Sequence, residues 1–144
     1  MSSHSAVVQP SKRISLRFSC AEQSDVAAKI AIATSVIGEI EGKNALIFDD
    51  EVDTAGSIME TVEVIKKFGG KDIYVGCTHG ILSGPAIERI KKSNIKELVM
   101  TNTVPLPIEK QIDKIKVVSI SELFGEAIKK IHEEKSIGEL FETN

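Results

Sequence analysis

Ala45-Leu46-Ile47-Phe48-Asp49-Asp50-Glu51-Val52-Asp53-Thr54-Ala55-Gly56-Ser57 passes within one short stretch from apolar side chains to a run of acids and then to small, hydroxyl-bearing residues. The continuous apolar run Ala45 to Phe48 suits a strand covered on both faces, and it is expected to stop at Asp49-Asp50. Beyond a loop from Glu51 to Gly56, the residues Ile58, Val62, Ile65 and Phe68 recur near the helical period, and Gly69-Gly70 supplies a stop. Strand, loop, helix is the expected local unit.

The unit repeats downstream. Ile73 to Cys77 is β-rich, breaks at Thr78-His79-Gly80 and gives way to a helix expected around Gly84 to Lys92. Glu97 to Met100 is a third strand ending in Thr101-Asn102-Thr103, after which Pro105-Leu106-Pro107 resists a regular helix and reads as a loop. Ile115 to Val118 is a fourth strand. It leads to a helix with Ser121 as the expected N-cap and Leu123, Ile128 and Ile131 as an apolar stripe, running to about Glu134. Alternation of this kind specifies an α/β fold with a parallel sheet in one domain. Upstream, Ala6-Val7-Val8 and Val26 to Ile32 are strand candidates, and Ser11 to Ser24 shows no clear period. Val36 to Lys43 alternates as an edge or hairpin strand does, with Glu41-Gly42-Lys43 as its turn.

Composition narrows the class. The chain has 144 residues, 42% apolar and 27% charged, which is globular rather than disordered composition. A net charge of -3 without a long basic run provides no field to hold a nucleic-acid backbone. Cys20 and Cys77 form no paired motif, so neither a zinc knuckle nor a disulfide framework is indicated. No apolar run reaches the roughly 20 residues needed to cross a bilayer, and the start lacks a signal-peptide core. A soluble cytoplasmic protein is expected, with no nucleic-acid or membrane partner.

In an open parallel sheet, ligands bind beyond the carboxyl ends of the strands, and the unusual residues fall there. Asp49, Asp50, Glu51 and Asp53 repel one another unless a cation, a polyol or several N–H donors neutralise them. Thr54, Ala55, Gly56 and Ser57 are small, offer two hydroxyls and let backbone N–H groups approach an anion at a helix start. Asp49 and Asp50 are therefore the candidates to accept bonds from vicinal sugar hydroxyls, and Asp53, Thr54, Ala55, Gly56 and Ser57 to hold a phosphate. A capped Asx-rich turn is the plainer alternative. Of the other reactive side chains, His79 is equally suited to a turn or a ligand contact, His132 suits a helix C-terminus, and Cys77 suits a buried strand. The pairs Lys66-Lys67, Lys91-Lys92 and Lys129-Lys130 read as solvated helix faces.

The string from Asp49 to Ser57 resembles the motif of type I phosphoribosyltransferases and diphosphokinases that binds phosphoribosyl diphosphate (PRPP). Three later blocks, Thr78 to Ala86, Thr101 to Pro105 and Ile131 to Phe141, are similar to successive blocks of bacterial-type ribose-phosphate diphosphokinases. The resemblance, over residues 37 to 141, is to the C-terminal half of that family. It implies an α/β three-layer sandwich with a mainly parallel, Rossmann-like sheet over residues 37–144, with residues 1–36 a divergent segment. It also implies binding of ribose 5-phosphate or PRPP at Asp49 and Asp50, with the phosphate at Asp53 to Ser57. The family converts ATP and ribose 5-phosphate to AMP and PRPP for nucleotide biosynthesis, requires Mg²⁺ and assembles into homo-oligomers. This sequence departs from the pattern in its upstream part. Ser11 follows Pro10 where the family has Asp, and Lys29 lies in no Lys-Arg pair, so no catalytic residue and no Mg²⁺ ligand is carried over. ATP is expected as a partner only if the missing half is supplied. Two alternatives are a noncatalytic regulatory subunit docking on complete diphosphokinases and a small phosphoribosyltransferase.

Overall fold

The structure, a computed structural model, describes residues 40–140 together with the strand segments 5–7, 13–19 and 32–37. Strands β1 (Ser5–Val7), β2 (Arg13–Ser19) and β3 (Ile32–Ile37) form an antiparallel group, and β1 joins it antiparallel to β4 (Ala45–Val52). From there β5 (Ile73–Gly80), β6 (Ile95–Thr101) and β7 (Ile115–Val118) continue in parallel, giving the spatial order β3-β2-β1-β4-β5-β6-β7. Helix α1 (Gly56–Lys67) follows β4, α2 (Ala86–Lys92) follows β5, and α3 (Ser121–His132) follows β7. The expected α/β fold is observed, with four parallel strands carrying the helical connections.

The parallel strands advance one position at a time in the same direction. Right-handed crossovers then place α1 and α2 on one face of the sheet. Burial follows that rule. Ala45 and Ile47 of β4, Ile73, Val75 and Cys77 of β5, and Leu98 and Met100 of β6 form one buried cluster with Ile58, Val62 and Ile65 of α1 and Ala86 and Ile90 of α2. On the alternate positions Leu46, Tyr74 and Val99 are half-buried and Phe48 is 49% exposed. Among the described residues this second face is a shallow apolar groove. Helix α3 forms over the expected residues but ends at His132, and its stripe of Leu123, Ile128 and Ile131 is exposed.

Several local expectations are corrected. β4 and β5 do not stop at Phe48 and Cys77: the ladder pairs Asp49 with Cys77, Glu51 with His79 and Val52 with Gly80, so the acids sit on a continuing strand. Ser121 is the first helical residue rather than the N-cap; Ile120 takes that place, its N–H bonded to Asn102 Oδ1 at 3.0 Å. Helix α2 begins at Ala86, since Gly84 lies at φ +51° and Pro85 precedes the first turn. β2 fills part of the stretch given no period, and β3 crosses position 36 as one strand. The candidate strand Val26 to Ile32 lies outside the described residues except for Ile32, which opens β3. The Gly69-Gly70 stop is real: Gly69 has φ +80°, and a Cβ on Gly70 would stand 2.5 Å from Ile65 Cγ2. Lys66 is not merely solvated there, because its Nζ donates to Gly70 C=O at 3.2 Å and closes the turn. Lys114 does the same for α2, donating to the carbonyls of Ile90, Lys91 and Ser93 at 3.2, 3.1 and 2.9 Å.

Candidate functional site

The carboxyl end of β4 opens into a cleft of about 420 Å³ lined by residues from Asp49 to Ile58. All seven residues singled out for binding line it. Asp49 is half-buried, whereas Asp50, Asp53, Thr54 and Ser57 are exposed and Ala55 is buried beneath the loop. Asp49 Oδ1 accepts the Asp50 N–H at 3.0 Å, which orients the first carboxylate along the strand end.

The loop between β4 and α1 is held from one side. Val52 C=O accepts from the N–H groups of Ile81 and Leu82, both at 3.0 Å, and Asp53 C=O accepts from Ser83 N–H at 3.0 Å. Ser83 Oγ also donates to the Asp53 carboxylate. Thr54 C=O accepts from Arg89 Nη1 at 2.8 Å. Three successive carbonyls are thus committed to the segment joining β5 to α2 and to α2 itself. In a planar trans peptide the N–H points opposite to the preceding C=O, so the N–H groups of Asp53, Thr54 and Ala55 turn away from that segment. Successive N–H groups presented this way form an anion-binding concavity.

Helix α1 adds to it. Ala55 is its N-cap residue and sits in the left-handed region at φ 59°, ψ 15°, with no side-chain cap. The first intrahelical bond is Met59 N–H to Ala55 C=O at 3.1 Å. A helix start is where backbone donors are left over from the intrahelical ladder, and the helix dipole favours negative charge there.

The neighbouring strand ends are knitted together. Thr78 C=O accepts from the hydroxyls of Thr101 and Thr103 at 2.7 and 2.9 Å, and His79 Nδ1 lies 2.9 Å from Thr103 Oγ1. Asn102 Nδ2 donates to Ser119 Oγ at 3.3 Å. These bonds fix the edge where β5, β6 and β7 end, and they leave the exposed His79 ring one strand away from Glu51. Cys77 is 8% exposed. Burial, and after it the carboxylate of Asp49 beside it, push its thiol up to about 12, so at neutral pH it is a packed thiol rather than a nucleophile. Lys91 and Lys92 pair with Glu88 at 3.6 and 3.9 Å on the α2 surface.

Two residues that the sequence did not single out touch the loop: Ser83 and Arg89. Ser83 sits inside the quoted block from Thr78 to Ala86 and had no spacing to mark it. Arg89 had a signal, since the chain holds 3 arginines against 15 lysines and none of the others follows Arg17. Among the described residues, no group of three or more His, Cys, Asp or Glu is placed to hold a metal ion. The described residues therefore form no all-protein cage for Mg²⁺, and no chemical step is assigned to a metal.

A family model described as the phosphoribosyl synthetase-associated domain matches residues 4–142. The chain is 52% identical over 114 residues to the ribose-phosphate pyrophosphokinase of Caldanaerobacter subterraneus, covering 79% of this chain and 36% of that protein. It is 48% identical over 108 residues to the enzyme of the same name from Clostridium acetobutylicum, covering 75% of this chain and 34% of that one. It thus spans about a third of the length of the curated relatives it matches. Among solved structures, phosphoribosylpyrophosphate synthetase from Mycobacterium smegmatis is similar with a TM-score of 0.67 and 34% identity, over 69% of this chain and 33% of that one. No helix among the described residues is long and apolar enough to cross a membrane.

Proposed function

From the premise that this chain belongs to the phosphoribosyl synthetase-associated domain family, we propose that it binds ribose 5-phosphate or PRPP in the cleft at the end of β4, as the C-terminal half of a ribose-phosphate diphosphokinase does. The observation that supports this reading is the commitment of the Val52, Asp53 and Thr54 carbonyls to the β5–α2 connection and α2, which turns the intervening N–H groups away from those elements. Asp49 and Asp50 accept the vicinal hydroxyls of the sugar. Asp53 to Ser57 surround the 5-phosphate, with the first turn of α1 supplying donors and a favourable dipole.

Making PRPP from ATP needs cations placed on the transferring phosphates. The acids at the end of β4 followed by the small residues at the start of α1 support pentose phosphate binding as the activity we assign to this loop. ATP, Mg²⁺ and the groups that use them belong to the other part of a complete diphosphokinase. A second reading, a noncatalytic subunit docking on a complete enzyme, is favoured by the apolar groove over β4, β5 and β6 and by the exposed stripe of α3. A stable complex with a full-length diphosphokinase, without turnover by this chain, would select it.

Calorimetry of the purified chain with ribose 5-phosphate, PRPP and Mg-ATP in turn tests the assignment, repeated on the double variant Asp49→Asn, Asp50→Asn. Binding of the sugar phosphates, weakened in the variant, with little heat from Mg-ATP is the expected pattern. Heat from Mg-ATP alone would refute it.

A further inference from the structure

Resting on the pentose phosphate reading, we propose that Ser83 is a positioning residue that holds the Asp53 carboxylate off the N–H groups that receive the phosphate. Ser83 meets Asp53 twice. Its N–H donates to Asp53 C=O at 3.0 Å, and its Oγ donates to the carboxylate. The carboxylate is therefore drawn to the carbonyl side of residue 53, toward the connection between β5 and α2. The Thr54 N–H shares its peptide with that carbonyl and points the opposite way.

Asp53 has a more local alternative. An Asp side chain readily accepts from the backbone N–H two residues on, forming an Asx turn. Here that N–H belongs to Ala55, the N-cap residue of α1, and Asp53 itself lines the cleft. The structure shows the other choice: the carboxylate accepts from Ser83, 30 residues away, and the N-cap has no side-chain hydrogen bond. The difference matters for an anion. A carboxylate seated on the loop would occupy donors assigned to the 5-phosphate, and would stand beside a group carrying about 1.5 to 2 negative charges at neutral pH. With the carboxylate held by Ser83, those donors are kept for a ligand, and residue 53 serves the phosphate through its backbone.

Ser83→Ala separates this role from anchoring, because it removes only the hydroxyl. The N–H groups of Ile81, Leu82 and Ser83 still reach the Val52 and Asp53 carbonyls, all at 3.0 Å, so the loop stays tied. Calorimetry with ribose 5-phosphate, with melting temperatures alongside, compares the native chain, Ser83→Ala, Asp53→Ala and the double variant. We expect Ser83→Ala to bind about 5- to 20-fold more weakly, the lower end of what a like charge at close range costs, since the loop is exposed. In the Asp53→Ala background the same substitution should change binding by less than about twofold, because no carboxylate remains to be released. Ser83→Thr, which keeps the hydroxyl, should recover most of the affinity lost in Ser83→Ala. Equal losses in the two backgrounds would overturn the proposal, as would Ser83→Ala binding within about twofold of native. Loss of binding in Asp53→Ala alone would also overturn it, since the carboxylate would then be engaging the ligand, and this arm decides even if Ser83→Ala does not fold. Failure of the native chain to bind ribose 5-phosphate would overturn the pentose phosphate reading and this inference with it, a result distinct from native binding that is indifferent to Ser83.

Discussion

Ala55 offers a sharp test of the loop, because its backbone conformation is one that L side chains rarely adopt. It lies at φ 59°, ψ 15° and is 4% exposed. A left-handed conformation costs about 1–2 kcal/mol for a residue with a Cβ. Ala55→Gly removes that strain, loses about 0.8 kcal/mol of methyl burial and adds about 0.4–1 kcal/mol of unfolded-state freedom. The sum is near zero, within about 1 kcal/mol. Ala55→Val keeps the strain, worsens it with a branched Cβ and adds overpacking of about 1–3 kcal/mol, so a loss of about 2–4 kcal/mol is expected. Urea denaturation of the three proteins measures both differences, and ribose 5-phosphate calorimetry reads the loop: binding should survive in Ala55→Gly and fail in Ala55→Val. A neutral Ala55→Val, or a loss above about 2 kcal/mol for Ala55→Gly, would mean that residue 55 is not left-handed in solution.

Other consequences follow from the core and the surface. Ile65 is 0% exposed within the α1 face, and Ile65→Ala should cost about 2–5 kcal/mol by urea denaturation; a cost under 1 kcal/mol would contradict the packing. In a Cys20→Ser background, Cys77 should react with an aromatic disulfide at pH 7.5 far more slowly in the folded than in the unfolded chain, and equal rates would contradict its burial. Asp72 meets Lys96 at 2.6 Å. The hydrogen bond from Lys96 holds the Asp72 carboxyl below the usual carboxylate range, and the same bond raises Lys96. The depressed acid contributes stability above its unfolded pKa, near 3.9, that is lost as pH falls through the folded value; the raised base contributes below about pH 10.4 and loses its share as pH rises through its folded value. Both groups are exposed, so the contribution is small and salt-sensitive. Asp72→Asn should remove it from both limbs of the stability profile, and an unchanged acid limb would refute the pairing.

The parallel half of the fold was readable because its strands are apolar runs and its helices carry periodic apolar faces. Ala45 to Phe48, Ile73 to Cys77 and Ile115 to Val118 all became strands. The ends were less legible, since ladder pairing carried β4 through polar Asp49, Asp50 and Glu51 on the strength of its neighbour β5, a long-range effect that no local preference encodes. β2 had a local signal, with Ile14, Leu16 and Phe18 alternating with Arg13, Ser15 and Arg17, which is the period of a strand. The arginines masked it as a polar stretch. Of the cleft, the sequence named the loop itself, because acids followed by small residues have a direct chemical meaning. It did not name Ser83 or Arg89, which reach the loop from α2 and its approach across 30 and 35 residues of chain. Only the crossover geometry brings them there.

The central claim is that the N–H groups from Asp53 to the first turn of α1 hold a sugar phosphate. An amide-resolved ¹H–¹⁵N titration of the full chain with ribose 5-phosphate tests it most directly. Large downfield shifts confined to the Thr54, Ala55 and Gly56 amides and their immediate neighbours, saturating with the calorimetric affinity, are the predicted result. Saturable shifts centred elsewhere on the sheet, with those three amides unmoved, would contradict it.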